Sequence, residues 1–284
     1  VLVPDDLVRT ITSWAGPRGA AWLASLPSRV EALADMWGLR VGEPYVPSGY
    51  TSLAVRVTRG GEPCVLKVSA ADDEPPREAA ALRAYGGGAA VTLLEADGDA
   101  LLLERCEPGA LLSSRPDDEC ARVVAETLVE LWRAPVPDGV PPLDLDGWAE
   151  TLARPSRVPY RDEALDALSW LRAGPSVLLH GDLHGGNVLS ARRRPWLAID
   201  PKGAVGDPAF DLAAVVRDRA APGLVERRHR IVCEVTGCDP DRVRAWALVK
   251  CVEGAAWSYE VGDARSGDEF VAAAHLVAAL RSGA

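Results

Sequence analysis

The chain has 284 residues, 48% hydrophobic and 25% charged. That is enough to bury a core, and it predicts one large domain or two tightly joined lobes rather than a disordered or repeat chain. A net charge of −10 argues against a strongly basic face, so nucleic acid is not an expected partner and a cationic small molecule is.

The apolar runs AVTLLEA and ALLLE are too short to span a bilayer, so no membrane association is expected. VLVPDDLVRTITSW has no basic region followed by an apolar run, unlike a secretory signal. Cys64, Cys106, Cys120, Cys233, Cys238 and Cys251 form no CxxC pair, which argues against both a disulfide framework and a zinc site. A cytoplasmic monomer is the expectation. Among 31 basic residues only Lys67, Lys202 and Lys250 are lysines. In so arginine-rich a chain, each lysine calls for a reason.

Residues 5–38 alternate helical patterns with breaks at GPRG and LPS, and Leu23, Leu26, Val30, Leu33 and Trp37 give one apolar helix face. GLRVGEPYV, SLAVRVT and PCVLKVS then predict three strands, with RGGEP turning between the second and third. Pro75 and Pro76 open a helix that Gly86, Gly87 and Gly88 close. AVTLLEA and ALLLER predict two further strands joined at 97–99. The order β-β-β-α-β-β with tight links predicts an antiparallel sheet carrying one helix. After EPGALLSS (107–114) the pattern is mostly helical: 117–133, 146–153, 162–173 and three stretches beyond 208. Two short apolar strands, around SVLLHGDLHGGNVL and WLAID, interrupt it. The expected architecture is α+β, a small β-rich lobe joined near 104–109 to a larger α-rich lobe, with boundaries at 1–106 (including leading helices 1–40) and 107–284.

HGDLHGGN places Asp182 and Asn187 five residues apart, and Asp200 ends WLAID. Apolar runs lead into both acidic positions, so strand ends deliver them to one cleft. This is the layout of a phosphoryl-transfer site. Asp182 accepts the proton of an attacking hydroxyl, and the Asn187 amide oxygen and Asp200 suit magnesium, a hard cation. The same layout asks for a strand lysine paired to a helical glutamate, and Lys67 and Glu78 occupy those places. Taken alone, a strand lysine such as Lys67 is more often a solvated edge residue, and Glu78 more often a charge at a helix N-terminus; it is their joint occurrence that points to the site.

HGDLHGGNVL, together with IDPKG and GDPAFDLA, resembles the aminoglycoside phosphotransferase family of small-molecule kinases over residues 41–261. LHGDLHGGNVL joined to AIDPKG is most similar to the branch of streptomycin 6-phosphotransferases and hydroxyurea kinases. The resemblance implies a two-lobed protein-kinase-like fold, with a small antiparallel sheet lobe for nucleotide and a mainly helical lobe for catalysis and acceptor. It implies ATP (GTP stays open) with magnesium, Asp182 as base, Asn187 and Asp200 as metal ligands, and Lys67 with Glu78 on the phosphates. It also implies that the backbone of Arg105, Cys106 and Glu107 contacts the nucleobase. Three departures from protein kinases stand out. His-Gly-Asp replaces His-Arg-Asp, Asp-Pro-Lys replaces Asp-Phe-Gly, and no GxGxxG is present. The candidate phosphate loop is VPSGYTS (46–52), where Ser48, Gly49 and Ser52 offer donors; a plain hairpin turn is the other reading.

His180 is expected to anchor the loop, and His184 either faces the cleft or serves structure. Asp211 reads as a buried acceptor of loop N–H groups, favoured over a helix-start charge by the resemblance. Asp207 reads as a cap of the same helix, and Lys202 either reaches a phosphate or pairs with Asp207. Glu253, Trp257 and Glu260 share a helix face suited to guanidinium or ammonium groups, or form a solvated face with a core tryptophan. Asp146 and Trp148 are a second acceptor candidate. The leading expectation is phosphorylation of an aminoglycoside hydroxyl, streptomycin in particular. Hydroxyurea or another small hydroxylated metabolite is the alternative acceptor. A non-catalytic nucleotide binder and a His180-x-Asp182-x-His184 metallohydrolase are the competing classes.

Overall fold

The computed structural model describes residues 2–70, 74–154 and 157–280. Helix α1 (Asp5–Trp37) is kinked at Gly16, whose φ of 52° and ψ of −134° are non-helical. The expected break at Leu26-Pro27-Ser28 does not occur, and the helix runs through Pro27. Burial overrides the lost hydrogen bond there: Leu26, Val30 and Leu33 are sealed against the sheet, each contributing about 1.5–3 kcal/mol. Gly38, at φ 64°, ends the helix by donating its N–H to the Ala34 carbonyl.

Strands β1 (Leu39–Pro44), β2 (Ser52–Arg59), β3 (Glu62–Ser69), β4 (Leu93–Asp97) and β5 (Ala100–Glu104) form one antiparallel sheet in the order β1-β2-β3-β5-β4. Gly60 and Gly61, at φ 58° and 92°, supply the two left-handed positions of the β2–β3 hairpin. Helix α2 (Glu74–Tyr85) lies between β3 and β4 in sequence. The first half of AVTLLEA does not join the sheet. Ala90 instead bridges Ala198, with Val91 N–H donating to the Ala198 carbonyl at 3.0 Å and Ala198 N–H to that of Ala89 at 2.8 Å. This segment therefore stitches the sheet part to the helical part.

The helical part holds α3 (Asp117–Leu131), α4 (Leu145–Ala153), α5 (Arg161–Leu171), α6 (Ala209–Arg217), α7 (Leu224–Thr236), α8 (Pro240–Glu260) and α9 (Ala264–Ala278). Four helices rather than three follow residue 208, because Gly262 at φ 84° and the Asp263 cap separate α8 from α9. Strand β6 (Val177–Leu179) pairs with β9 (Ala204–Gly206), a strand absent from the sequence reading, and β7 (Val188–Ser190) pairs with β8 (Trp196–Ala198). Both pairs are antiparallel and carry the polar loop 180–187 between them. One apolar cluster includes Leu82, Leu101 and Leu103 with Leu128, Leu183, Phe210 and Trp246, so the main core crosses the connector after β5.

Helix α8 is the axis of this part, packing against α4, α5, α6, α7 and α9. Asp207 fixes it to the start of α6. Its buried carboxylate accepts from Arg242 Nε at 2.8 Å, Trp246 Nε1 at 2.8 Å and Ala209 N–H at 3.0 Å. Removing one partner of such a pair strands the other charge. Asp207→Ala should therefore lower stability by about 3–5 kcal/mol in urea denaturation, and a loss under 1 kcal/mol would contradict the assignment.

Candidate active site

Four elements converge on one cluster. β6 leads into His180, Gly181 and Asp182; Asn187 precedes β7; β8 runs into Ile199 and Asp200; and β3 presents Lys67. Loop 180–187 is short enough to be set by its tethers. Asp211, at the start of α6 and fully buried, accepts from His180 N–H at 3.0 Å, Gly181 N–H at 2.7 Å and Trp132 Nε1 at 3.0 Å. His180 Nε2 contacts the Ile199 carbonyl at 2.9 Å, and Asp182 N–H reaches His180 Nδ1 at 3.3 Å. Both ring nitrogens thus take backbone partners, which leaves neither for a metal. Gly181 has φ 88°, and a Cβ there would fall 2.9 Å from the Lys202 Cβ, so only glycine fits.

Asn187 Nδ2 donates to the Asp182 carbonyl at 2.8 Å, fixing the amide so that its oxygen is the atom left for a ligand. His184 Nδ1 accepts from Gly186 N–H at 3.0 Å, and its Nε2 is 3.9 Å from Asp182 Oδ2. Asp200 has φ 61°, a left-handed conformation that aspartate tolerates better than most residues. It faces two ammonium groups. Lys67 Nζ bonds Asp200 Oδ1 and lies 2.6 Å from Glu78 Oε2, and Lys202 Nζ is 3.1 Å from Asp200 Oδ2. Lys202 therefore pairs with Asp200 rather than Asp207, whose carboxylate belongs to Arg242 and Trp246.

Burial alone would push the Asp200 carboxyl up, but Lys67 and Lys202 outweigh it and hold it at about 2. Burial likewise works against the Lys67 ammonium, and Glu78 and Asp200 overcome it, raising Lys67 above its ordinary value. The Lys67–Asp200 pair is thus ionised throughout the neutral range, while burial, against the pull of Lys67, pushes the Glu78 carboxyl up. Two oxygen-bearing side chains, Asn187 and Asp200, match the few protein ligands that magnesium accepts when phosphates and waters complete its shell.

The other candidate residues take distinct places. Ser48 donates its N–H to Asp6 Oδ2 at 2.6 Å and its hydroxyl to Asp6 Oδ1 at 3.2 Å, so α1 grips loop 46–52, and Trp14 stacks on Tyr50. A Cβ on Gly49 would meet Ser52 Oγ at 3.0 Å, and Ser52 itself is buried at the start of β2. Arg105 and Glu107 pair at 2.7 Å across the buried Cys106 in the connector. On α8, Glu253 is half-buried, Trp257 is exposed and Glu260 pairs with Arg154 at 3.2 Å in solvent. Burial pushes the Glu253 carboxyl up. Trp148 packs on Phe210 and Trp246, and the exposed Asp146 pairs with Arg172, so these two face different surroundings. Asp6, Arg217 and Arg242 carried no motif in the sequence. Lys250 was marked only by the scarcity of lysine.

The comparisons with known proteins agree on the kind of enzyme. Residues 38–262 match the family described as aminoglycoside/hydroxyurea antibiotic resistance kinase. A hydroxyurea phosphotransferase of Kitasatospora aureofaciens is 36% identical, the match covering 98% of this chain and 86% of that protein. A streptomycin 6-kinase of Streptomyces glaucescens is 35% identical, covering 93% of each. A solved structure of a thermostable mutant of aminoglycoside phosphotransferase APH(4)-Ia, in ternary complex with ADP and hygromycin B, superposes with a TM-score of 0.62 at 20% identity. It covers 87% of this chain and 96% of that one, and shows the shared kinase-like fold. With a family match across most of its length, the chain belongs to the aminoglycoside/hydroxyurea antibiotic resistance kinases.

Proposed function

We propose that this kinase transfers the γ-phosphoryl group of ATP to the 6-hydroxyl of streptomycin, with magnesium. The observation that carries the chemistry is Lys67 bridging Glu78 and Asp200 beside the Asp182–Asn187 loop. The acceptor rests on the streptomycin 6-kinase relative, matched over 93% of both chains. The nucleotide rests on ADP in the APH(4)-Ia complex. Hydroxyurea is the second reading, because the hydroxyurea phosphotransferase is as similar.

In this reading Asp182 receives the proton of the acceptor hydroxyl as its oxygen bonds to the γ-phosphorus. The bond between that phosphorus and the β,γ-bridging oxygen breaks, and ADP leaves. Lys67 neutralises phosphate charge, and Glu78 keeps its ammonium directed. Asn187 and Asp200 would hold magnesium, which supplies further charge neutralisation on the phosphates. Such a reaction needs positioning and charge compensation more than covalent help. His180 does not act as the base. Burial lowers its imidazole to about 4, against the pull of Asp182 and Asp200, so it is neutral at pH 7 and serves as a rigid anchor.

Three outcomes follow from these assignments. Phosphorus NMR of the product should show streptomycin 6-phosphate, and phosphorylation of hydroxyurea with none of streptomycin would overturn the acceptor. Asp182→Asn should lower kcat by about 10²–10⁴-fold while calorimetric ATP affinity stays unchanged; full turnover would remove Asp182 as base. The His180 imidazole supplies a pH signature of stability. Above pH 6.5 neither state is protonated there and its contribution is complete; as pH falls toward 4 the unfolded chain takes a proton that the folded chain refuses. Stability measured in urea should thus drop by about 2 kcal/mol from this group between pH 7 and 5, and His180→Gln should remove that share of the slope.

A further inference from the structure

Loop 46–52, between β1 and β2, emerges close to Lys67. At its base Tyr45 N–H donates to the Ala54 carbonyl at 2.8 Å, and Ala54 stands opposite Lys67 in the β2–β3 ladder. Ser52, two positions nearer the loop, faces Ser69, so at about 3.3 Å per residue the loop begins roughly 7 Å along the strand from Lys67. A loop so placed borders whatever the Lys67 ammonium binds. It has no glycine-rich turn to give it a fixed form, so its shape depends on what holds it.

Two helices hold it. On one side, Thr51 Oγ1 donates to Glu74 Oε2 at 3.1 Å, and Glu74 begins α2, the helix that carries Glu78. On the other side stands α1. Asp6 accepts both the Ser48 N–H, at 2.6 Å, and the Ser48 hydroxyl, at 3.2 Å. Bonds to an ionised acceptor are the stronger kind, and two from one residue fix its orientation as well as its distance. The Trp14 ring stacks on Tyr50, with the planes 11° apart and the centroids at 6.3 Å. The kink at Gly16 sets this part of α1 off from the rest of the helix, and Leu7 and Ile11 anchor it, fully buried in one cluster with Leu53 of β2 and Leu66 of β3. Residues 5–37 precede the stretch that the family model matches, 38–262. Helix stability alone does not ask for Asp6, because Asp5 already places a carboxylate in the first turn.

We propose that Asp6 is a positioning residue for the nucleotide: by holding Ser48 through two hydrogen bonds, with Trp14 stacked on Tyr50, the start of α1 keeps loop 46–52 in the shape that receives the phosphates of ATP. The proposal rests on the ATP reading above. It makes Ser48, whose N–H is engaged by Asp6, the loop's point of attachment. Gly49, where a Cβ would meet Ser52 Oγ at 3.0 Å, is then the residue whose bare backbone allows a phosphate close approach. A loop in its competent shape only a tenth of the time binds about tenfold more weakly than one held there.

The test compares wild type with Asp6→Ala, Asp6→Asn and Asp5→Ala by steady-state kinetics, calorimetric titration with magnesium and ATP, and hydrogen exchange read by mass spectrometry. Asp6→Ala should raise both the KM and the Kd for ATP by about tenfold. Its KM for the acceptor should stay within about twofold and its kcat fall by no more than about threefold. Peptides covering 46–52 should exchange faster in the nucleotide-free variant. Asp6→Asn still accepts the Ser48 N–H and offers its amide to the Ser48 hydroxyl, so it should restore most of the ATP affinity. Asp5→Ala, which removes an exposed charge from the same turn, should leave the KM for ATP unmoved. Should Asp6→Ala not fold, Asp6→Ser, too short to reach Ser48, takes its place with the same readouts. A folded variant with wild-type ATP affinity overturns the proposal, however its loop exchanges. So does an equal loss in kcat and both KM values, or a loss in Asp6→Asn as large as in Asp6→Ala. If the wild type itself fails to bind ATP, the nucleotide reading falls and the proposal with it; if the wild type binds and Asp6→Ala binds equally well, only the role of Asp6 falls.

Discussion

The ion pair between Lys67 and Asp200 is the contact on which the arrangement turns. Lys67 belongs to the sheet, Asp200 to the end of β8 in the helical part, and Glu78 to α2. One ammonium therefore measures the distance between the two halves of the molecule. It is surrounded by further cross-connections: residues 89–91 bond the backbone of Ala198, and a Cβ on Gly203 would fall 2.5 Å from the Arg77 carbonyl on α2. All of these contacts are made between the protein's own groups, and an enzyme relying on electrostatic complementarity needs its charges held in place in this way.

The helical part answers with a second set of constraints directed at the loop. Asp211 holds two successive loop N–H groups, and Asp207 holds Arg242 and Trp246 a few residues earlier in the chain. Both carboxylates stand at the start of α6; Asp211 also reaches Trp132 at the end of α3, and Asp207 reaches Arg242 and Trp246 on α8. Their burial is costly unless every lone pair is met, and here each accepts at least three hydrogen bonds. The loop needs no extended secondary structure of its own, because its position is dictated by groups on either side.

Much of this was legible in the sequence, for identifiable reasons. The sheet announced itself through period-two apolar runs and Gly60-Gly61, and the aspartates through the apolar runs that deliver them. What stayed hidden depended on distant partners. β9 is only Ala204-Val205-Gly206, a strand because β6 lies beside it. The start of AVTLLEA looks like its neighbour β4 but pairs with β8. Pro27 should end a helix, and buried Leu26 and Val30 carry the helix past it. The partner of Lys202 was undecided between phosphate and Asp207, because no spacing rule could show that Arg242, 35 residues further on, already occupies Asp207. The engagement of Ser48 by Asp6 was invisible for the same reason.

The central claim is that Lys67 and Asp200 act as one unit across the two halves. A double-mutant cycle on kcat/KM with Lys67→Met, Asp200→Asn and the double variant tests it most directly. The account predicts that each single change costs about 10³-fold or more and that the double variant is little worse than the poorer single one. Losses that simply multiply would show two independent residues, and would contradict it.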